Sequence, residues 1–96
     1  VSSTTGSNVE GVFATFAYCS SKAALNKVVT MLAMALKPRG ITCAAVCPGY
    51  VRTKLGGDAA LLDVEESITG LRRVIAGLDL SRSGTFTRYN GEAIPW

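Results

Sequence analysis

Residues 41–47, Ile-Thr-Cys-Ala-Ala-Val-Cys, form a short, almost wholly apolar run with turn residues at both ends, Pro38-Arg39-Gly40 before it and Pro48-Gly49 after it. A run of this length without polar alternation predicts a strand covered on both faces. Such strands belong to parallel sheets with helices packed against them. The chain is therefore constrained toward an α/β architecture before any other segment is considered.

The flanking segments agree. From 16 to 37 the residues Ala24, Leu25, Val28, Val29, Leu32, Ala33 and Leu36 recur at intervals of three and four, which predicts a helix with a buried apolar stripe. Pro38 cannot continue that helix, and Gly40 suits a left-handed cap. A second helix is predicted over 64–78, with Asp63 as N-cap, Glu65 and Glu66 favoured by the N-terminal dipole, and Val64, Ile68, Leu71, Ile75 and Leu78 on one face. The alternating stretch 83–89 predicts a last strand, followed by a turn at Asn90-Gly91 and a tail in which Trp96 packs. Residues 4–15 have neither period and predict a loop. The polar, glycine-bearing stretch after Pro48-Gly49, through Asp63, is long enough for a functional loop or lid.

Strand end, loop, helix, strand, loop, helix and strand is the rhythm of a parallel sheet with crossover helices. In such sheets ligands collect beyond the carboxyl ends of the strands. Ser3, the loop after Cys47 and the start of the long helix are expected to converge there.

Composition narrows the chemistry. Ninety-six residues support one modest core, a single domain or part of one, and the opening Val1-Ser2-Ser3 reads as the tail of a strand in a partial domain. No apolar run approaches the roughly 20 residues of a membrane-spanning helix, so a soluble, cytoplasmic chain without a membrane partner is expected. The 10 basic and 7 acidic residues are scattered, giving a net charge of +3 with no nucleic-acid footprint. Three cysteines, Cys19, Cys43 and Cys47, make no disulfide framework, and the last two read as small buried hydrophobes. There is no histidine, paired carboxylate or metal-ligand cluster.

Acid–base chemistry then falls to Tyr18 and Lys22. Four residues apart, they share one helical face, where the ammonium can favour the phenolate and make the tyrosine a usable proton donor. By themselves these two residues also suit an exposed amphipathic helix.

The wider context is more specific. Ser2-Ser3, then Tyr18-x-x-Ser21-Lys22-Ala23-Ala24-Leu25-Asn26, then Pro48-Gly49-x-Val51-x-Thr53 resemble the C-terminal half of the short-chain dehydrogenase/reductase family. Gly56-Gly57, Val64-Glu65-Glu66-Ser67, Gly70, Ser83-Gly84-x-Phe86 and Ile94-Pro95-Trp96 resemble its C-factor/sniffer-type carbonyl reductase branch.

The resemblance implies the C-terminal part of a Rossmann-like doubly wound parallel sheet, with residues 1–96 forming the C-terminal portion of one domain whose dinucleotide-binding half is absent. It also implies an NAD(P)-dependent oxidoreductase of carbonyl reductase or alcohol dehydrogenase type, with NAD or NADP as cofactor and a small carbonyl or alcohol as substrate. Tyr18 would be the general acid and, with Lys22, would contact the cofactor; Lys22 would lower the Tyr18 pKa and hold the nicotinamide ribose. Ser3 would stabilise charge on the substrate oxygen; Thr5 satisfies the commonest family spacing to the tyrosine, but Ser3 satisfies the motif context and is chosen. Pro48, Gly49, Val51 and Thr53 would contact the nicotinamide carboxamide, although Ser3 and Thr53 also suit plain turn and capping roles. Relatives imply a homo-oligomer contact through the 16–37 helix. The alternative is a non-catalytic truncated product or an interaction or signalling fragment.

Overall fold

The computed structural model describes residues 1–10 and 14–96; residues 11–13 of the expected 4–15 loop lie outside the described residues. The first helix, α1, is Phe16–Leu36, and Thr15 caps it by accepting from the Tyr18 backbone N–H at 3.2 Å. It tightens into a 3-10 turn at Lys37–Arg39 and stops at Gly40, whose φ of 70° is the expected left-handed cap. No helix among the described residues is long and apolar enough to cross a membrane.

Strand β1 is Ala45–Cys47, buried throughout, and β2 is Phe86–Arg88. They pair in parallel, with Ala45 beside Phe86 and Cys47 beside Arg88, and helix α2, Val64–Ala76, lies between them in sequence. The result is a βαβ unit.

Both strands are shorter than the apolar and alternating runs that predicted them. A strand needs a partner, and the two segments pair in register only over Ala45–Cys47 and Phe86–Arg88; just before the strands, Gly84 N–H donates to Cys43 O at 2.7 Å and Ala45 N–H to Thr85 O at 2.9 Å. Tyr89 N–H to Cys47 O, at 2.9 Å, closes the other end. On the far side of β1, Ser2 N–H donates to Val46 O at 2.8 Å, so the chain start lies beside the sheet, but that bond does not extend into a ladder and residues 1–3 form no strand, contrary to their reading as a strand's tail. Beyond the turn at Asn90-Gly91, Ala93 pairs antiparallel with Thr87, and Ile94 N–H donates to Phe86 O at 2.8 Å. The tail thereby covers the other edge of β2.

The core is small. Ala45, Cys47, Phe86 and Ile94 are buried together, with Val29 and Trp96 packed against them. Trp96 stacks on Phe86 at 5.2 Å between ring centroids.

Two helical faces depart from the apolar pattern. On α1 the fully buried residues are Asn26 and Ala33, whereas Val28 and Leu32 of the expected stripe are exposed. The described residues offer that helix one covered face, narrower than its apolar surface. On α2 the buried residues are Ser67 and Leu71, and Val64, Ile68 and Ile75 are exposed. The seat is rotated because the Ser67 hydroxyl donates to Pro48 O at 2.6 Å, fixing a polar position against the sheet. Helix α2 also ends two residues short of 78, at Ala76, with Gly77 as its cap. Asp63 occupies the N-cap position without a side-chain capping bond, since its carboxylate pairs with Arg52 at 3.2 Å.

Candidate functional site

Two of the candidate segments, Ser2-Ser3 and Pro48-Gly49, adjoin β1. Ser2 lies beside that strand through its bond to Val46, and its side chain turns inward, donating to Asn26 Oδ1 of α1. Ser3 follows and is only partly buried. Its hydroxyl caps the 3-10 turn Thr4–Gly6, accepting from Thr5 N–H at 3.2 Å and from Thr5 Oγ1 at 3.0 Å. The two candidates for the substrate-oxygen role, Ser3 and Thr5, therefore touch each other. Because Ser3 Oγ accepts from both Thr5 donors, its own proton is available to a third group.

Gly6 fits this segment against α1. A Cβ there would lie 2.7 Å from the backbone carbonyl carbon of Lys22 and 2.9 Å from Asn26 Nδ2, distances no side-chain carbon tolerates. Glycine thus permits the turn bearing Ser3 to rest on the helical turn bearing Lys22. Replacing Gly6 with alanine is expected to destabilise the fold by about 1–3 kcal/mol through overpacking. Urea unfolding reads the loss, and a variant within about 0.5 kcal/mol of the parent would contradict this contact.

Tyr18 and Lys22 are both partly buried, and the Lys22 ammonium lies 5.6 Å from the centroid of the Tyr18 ring. That is within reach of a cation–π attraction. The sequence spacing thus becomes an actual pairing of the two side chains on one face of α1. Among the described residues Lys22 enters no ion pair, which leaves its three N–H donors uncommitted to a carboxylate.

Pro48 and Gly49 leave β1 in a turn with φ 82° at Gly49. A Cβ at Gly49 would meet Leu62 at 2.8 Å and Tyr89 at 2.9 Å, so glycine is required for both conformation and space. The turn is held from below by Ser67, 1% exposed, through its bond to Pro48 O. Ser67 has no local signal that marks it beyond its place in the 64–67 run; its burial and its polar partner do.

Val51 bridges in parallel to Leu62, and Arg52 N–H donates to Leu62 O at 2.8 Å, closing the loop on itself. Thr53 Oγ1 accepts from Gly56 N–H at 3.1 Å, the capping duty a threonine can perform in a loop. Among the described residues no hydrogen bond or ion pair joins the 48–53 segment to Tyr18 or Lys22.

A ring of contacts absent from the sequence reading surrounds the first loop. Ser7 Oγ donates to Pro95 O at 2.6 Å, Asn8 N–H to Trp96 O at 2.9 Å, and Arg88 Nη2 pairs with Glu10 Oε2 at 2.8 Å. Ser7 and Asn8 are thereby tied to the C-terminal tail, and Glu10 to the end of β2. Partners about 80 residues apart leave no local signal in a chain.

Comparison with known proteins gives a consistent result. The family model described as "short chain dehydrogenase" matches residues 1–61. The chain is 42% identical over 81 residues to a protein named C-signal from Myxococcus xanthus, covering 84% of this chain and 49% of that protein. In structure it is similar to the carbonyl reductase Sniffer of D. melanogaster, with a TM-score of 0.92, 36% identity, and coverage of 100% of this chain and 39% of that one. It is also similar to an NADPH-bound carbonyl reductase from chicken fatty liver, with a TM-score of 0.88, 33% identity, and coverage of 99% and 40%. The chain spans about half the length of the curated relative and about two fifths of these structures.

Proposed function

The chain belongs to the short-chain dehydrogenase family, and from that premise we propose that residues 1–96 are the C-terminal portion of a single NAD(P)-dependent oxidoreductase domain of carbonyl reductase or alcohol dehydrogenase type. Its α/β fold is that of the Rossmann-like carbonyl reductases it resembles. The observation that supports this most is the seating of the Ser3 turn on Lys22 through Gly6, with the Lys22 ammonium 5.6 Å from the centroid of the Tyr18 ring.

The residues fit a nicotinamide cofactor. Lys22 carries donors suited to ribose hydroxyls, and the braced Pro48-Gly49 turn with Val51 and Thr53 supplies backbone and hydroxyl groups suited to a carboxamide. When bound, the cofactor supplies hydride to the substrate carbon. Tyr18 Oη gives its proton to the carbonyl oxygen, and Ser3 Oγ donates a hydrogen bond to that oxygen as charge gathers there. The Lys22 ammonium favours negative charge left on the phenol oxygen. Substrates are small carbonyl or alcohol compounds, the cofactor is NAD or NADP, and the setting is cytoplasmic. The exposed Val28, Met31 and Leu32 of α1 extend the reading to a homo-oligomer contact through that helix.

The test joins the chain to a dinucleotide-binding half and measures NAD(P)H binding by fluorescence together with reduction of a panel of small carbonyls. Lys22→Met is expected to weaken cofactor binding at least about tenfold, one pair of charge-assisted hydrogen bonds, and Lys22→Arg not to restore it, because the guanidinium fork differs from a compact ammonium. Unchanged binding and turnover in Lys22→Met would overturn the assignment.

A second reading is favoured by the identity to a protein whose name is that of a signal: a non-catalytic interaction or signalling piece acting through exposed helical faces. Micromolar binding of NAD(P)H by the 96-residue chain alone would count against it.

A further inference from the structure

Resting on the proton-transfer reading above, we propose that Asn26, acting through Ser2, is a positioning residue that sets where Ser3 stands relative to Tyr18 and Lys22. Asn26 and Ser2 are 4% and 3% exposed, and the Ser2 hydroxyl donates to Asn26 Oδ1 across 24 positions of sequence. Ser2 is held from two directions. Its backbone N–H is bound to Val46 O of β1, and its side chain to α1. It is therefore the point at which the strand leading into Pro48-Gly49 and the helix bearing Tyr18 and Lys22 are locked to the segment carrying Ser3.

The position of each partner supports this role over a purely structural one. Asn26 follows Lys22 by one helical turn on the same face, and Gly6, three residues after Ser3, rests on both. Asn26 Nδ2 is buried with no hydrogen-bond partner among the described residues. A buried amide with an unpaired donor is a costly way to fill a helix interior, and an apolar residue of the same volume would pack there without that cost. What the amide supplies and an apolar residue lacks is a directional bond. That bond fixes the rotation of the Ser2-Ser3 unit, so Ser2 faces inward and Ser3 outward toward the reacting groups.

The experiment compares Ser2→Thr with Ser2→Val, side chains of nearly equal shape differing by the hydroxyl, and adds Asn26→Ala. All are made in the chain joined to a dinucleotide-binding half. Rates are expressed per cofactor-binding site measured by NAD(P)H fluorescence, so loss of folded protein cannot imitate a slower step. Ser2→Thr is expected to retain kcat within about twofold, and Ser2→Val to lower it on the order of ten- to a hundredfold with cofactor affinity unchanged, the scale of a small misplacement at a reacting centre. Asn26→Ala should match Ser2→Val, and the double variant Ser2→Val/Asn26→Ala should fall no further than either. Equal kcat in Ser2→Thr and Ser2→Val overturns the positioning role. Full additivity in the double variant does so as well. The Tyr18→Phe variant, run in parallel, tests the underlying reading separately: its retained turnover would overturn the proton-transfer role and the positioning role with it.

Discussion

Tyr18→Phe, in the chain joined to a dinucleotide-binding half, is expected to lower kcat for carbonyl reduction by on the order of 10²–10⁴-fold, the contribution of a positioned general acid. The change removes one oxygen and little else. The Tyr18 backbone still donates to Thr15 at the start of α1, and a phenyl ring still offers a face to the Lys22 ammonium now 5.6 Å from the ring centroid. Fold and cofactor affinity should therefore persist, so the loss should appear in kcat and not in cofactor binding. Steady-state kinetics with parallel NAD(P)H titration reads both quantities. Turnover equal to that of the parent would remove Tyr18 from the chemistry.

Phe86→Ala is the substitution expected to cost most stability, about 3–5 kcal/mol. Phe86 is 2% exposed at the centre of the small core, against Ala45, Cys47 and Ile94, and it carries the Trp96 ring stacked upon it. Alanine would leave a cavity that the short strands beside it cannot close, because β1 and β2 are already hydrogen-bonded across their length. That loss is a large fraction of the ~5–15 kcal/mol by which ordinary domains are stable. Urea unfolding followed by fluorescence of Trp96, the chain's single tryptophan, reports the change beside the site of substitution. A shift below about 1 kcal/mol would show that this cluster is not the core.

Much of the fold was legible in residue order because its signals are local. Pro38 and Gly40 end α1 for reasons contained in their own backbone chemistry, and the apolar run around Ala45–Cys47 predicts burial wherever it is placed. The Tyr18–Lys22 pairing was legible for the same reason, since helical spacing alone brings the two together. The seating of α2 was not. Of its predicted apolar line, Leu71 is buried but Val64, Ile68 and Ile75 are exposed, because a hydrogen bond from Ser67 to the carbonyl of Pro48 decides which side meets the sheet. Asp63 likewise reads as a cap by position, yet its carboxylate is drawn to Arg52, eleven positions away.

Residue order by itself determined the class of architecture, the ends of the long helix and the phenol–ammonium pair, because each depends on periodicity, backbone conformation or groups one turn apart. Tertiary structure alone decided the lengths of the strands, the rotation of α2, the strap from Ser7 and Asn8 to the C-terminal tail, and the turning of Ser2 toward Asn26 while Ser3 caps the turn at Thr4–Gly6. Those outcomes are set by which hydrogen-bonding groups meet across distant segments. A donor's partner is chosen by proximity in the folded chain, and the opening apolar run around β1 constrains where segments lie without specifying which polar groups face one another.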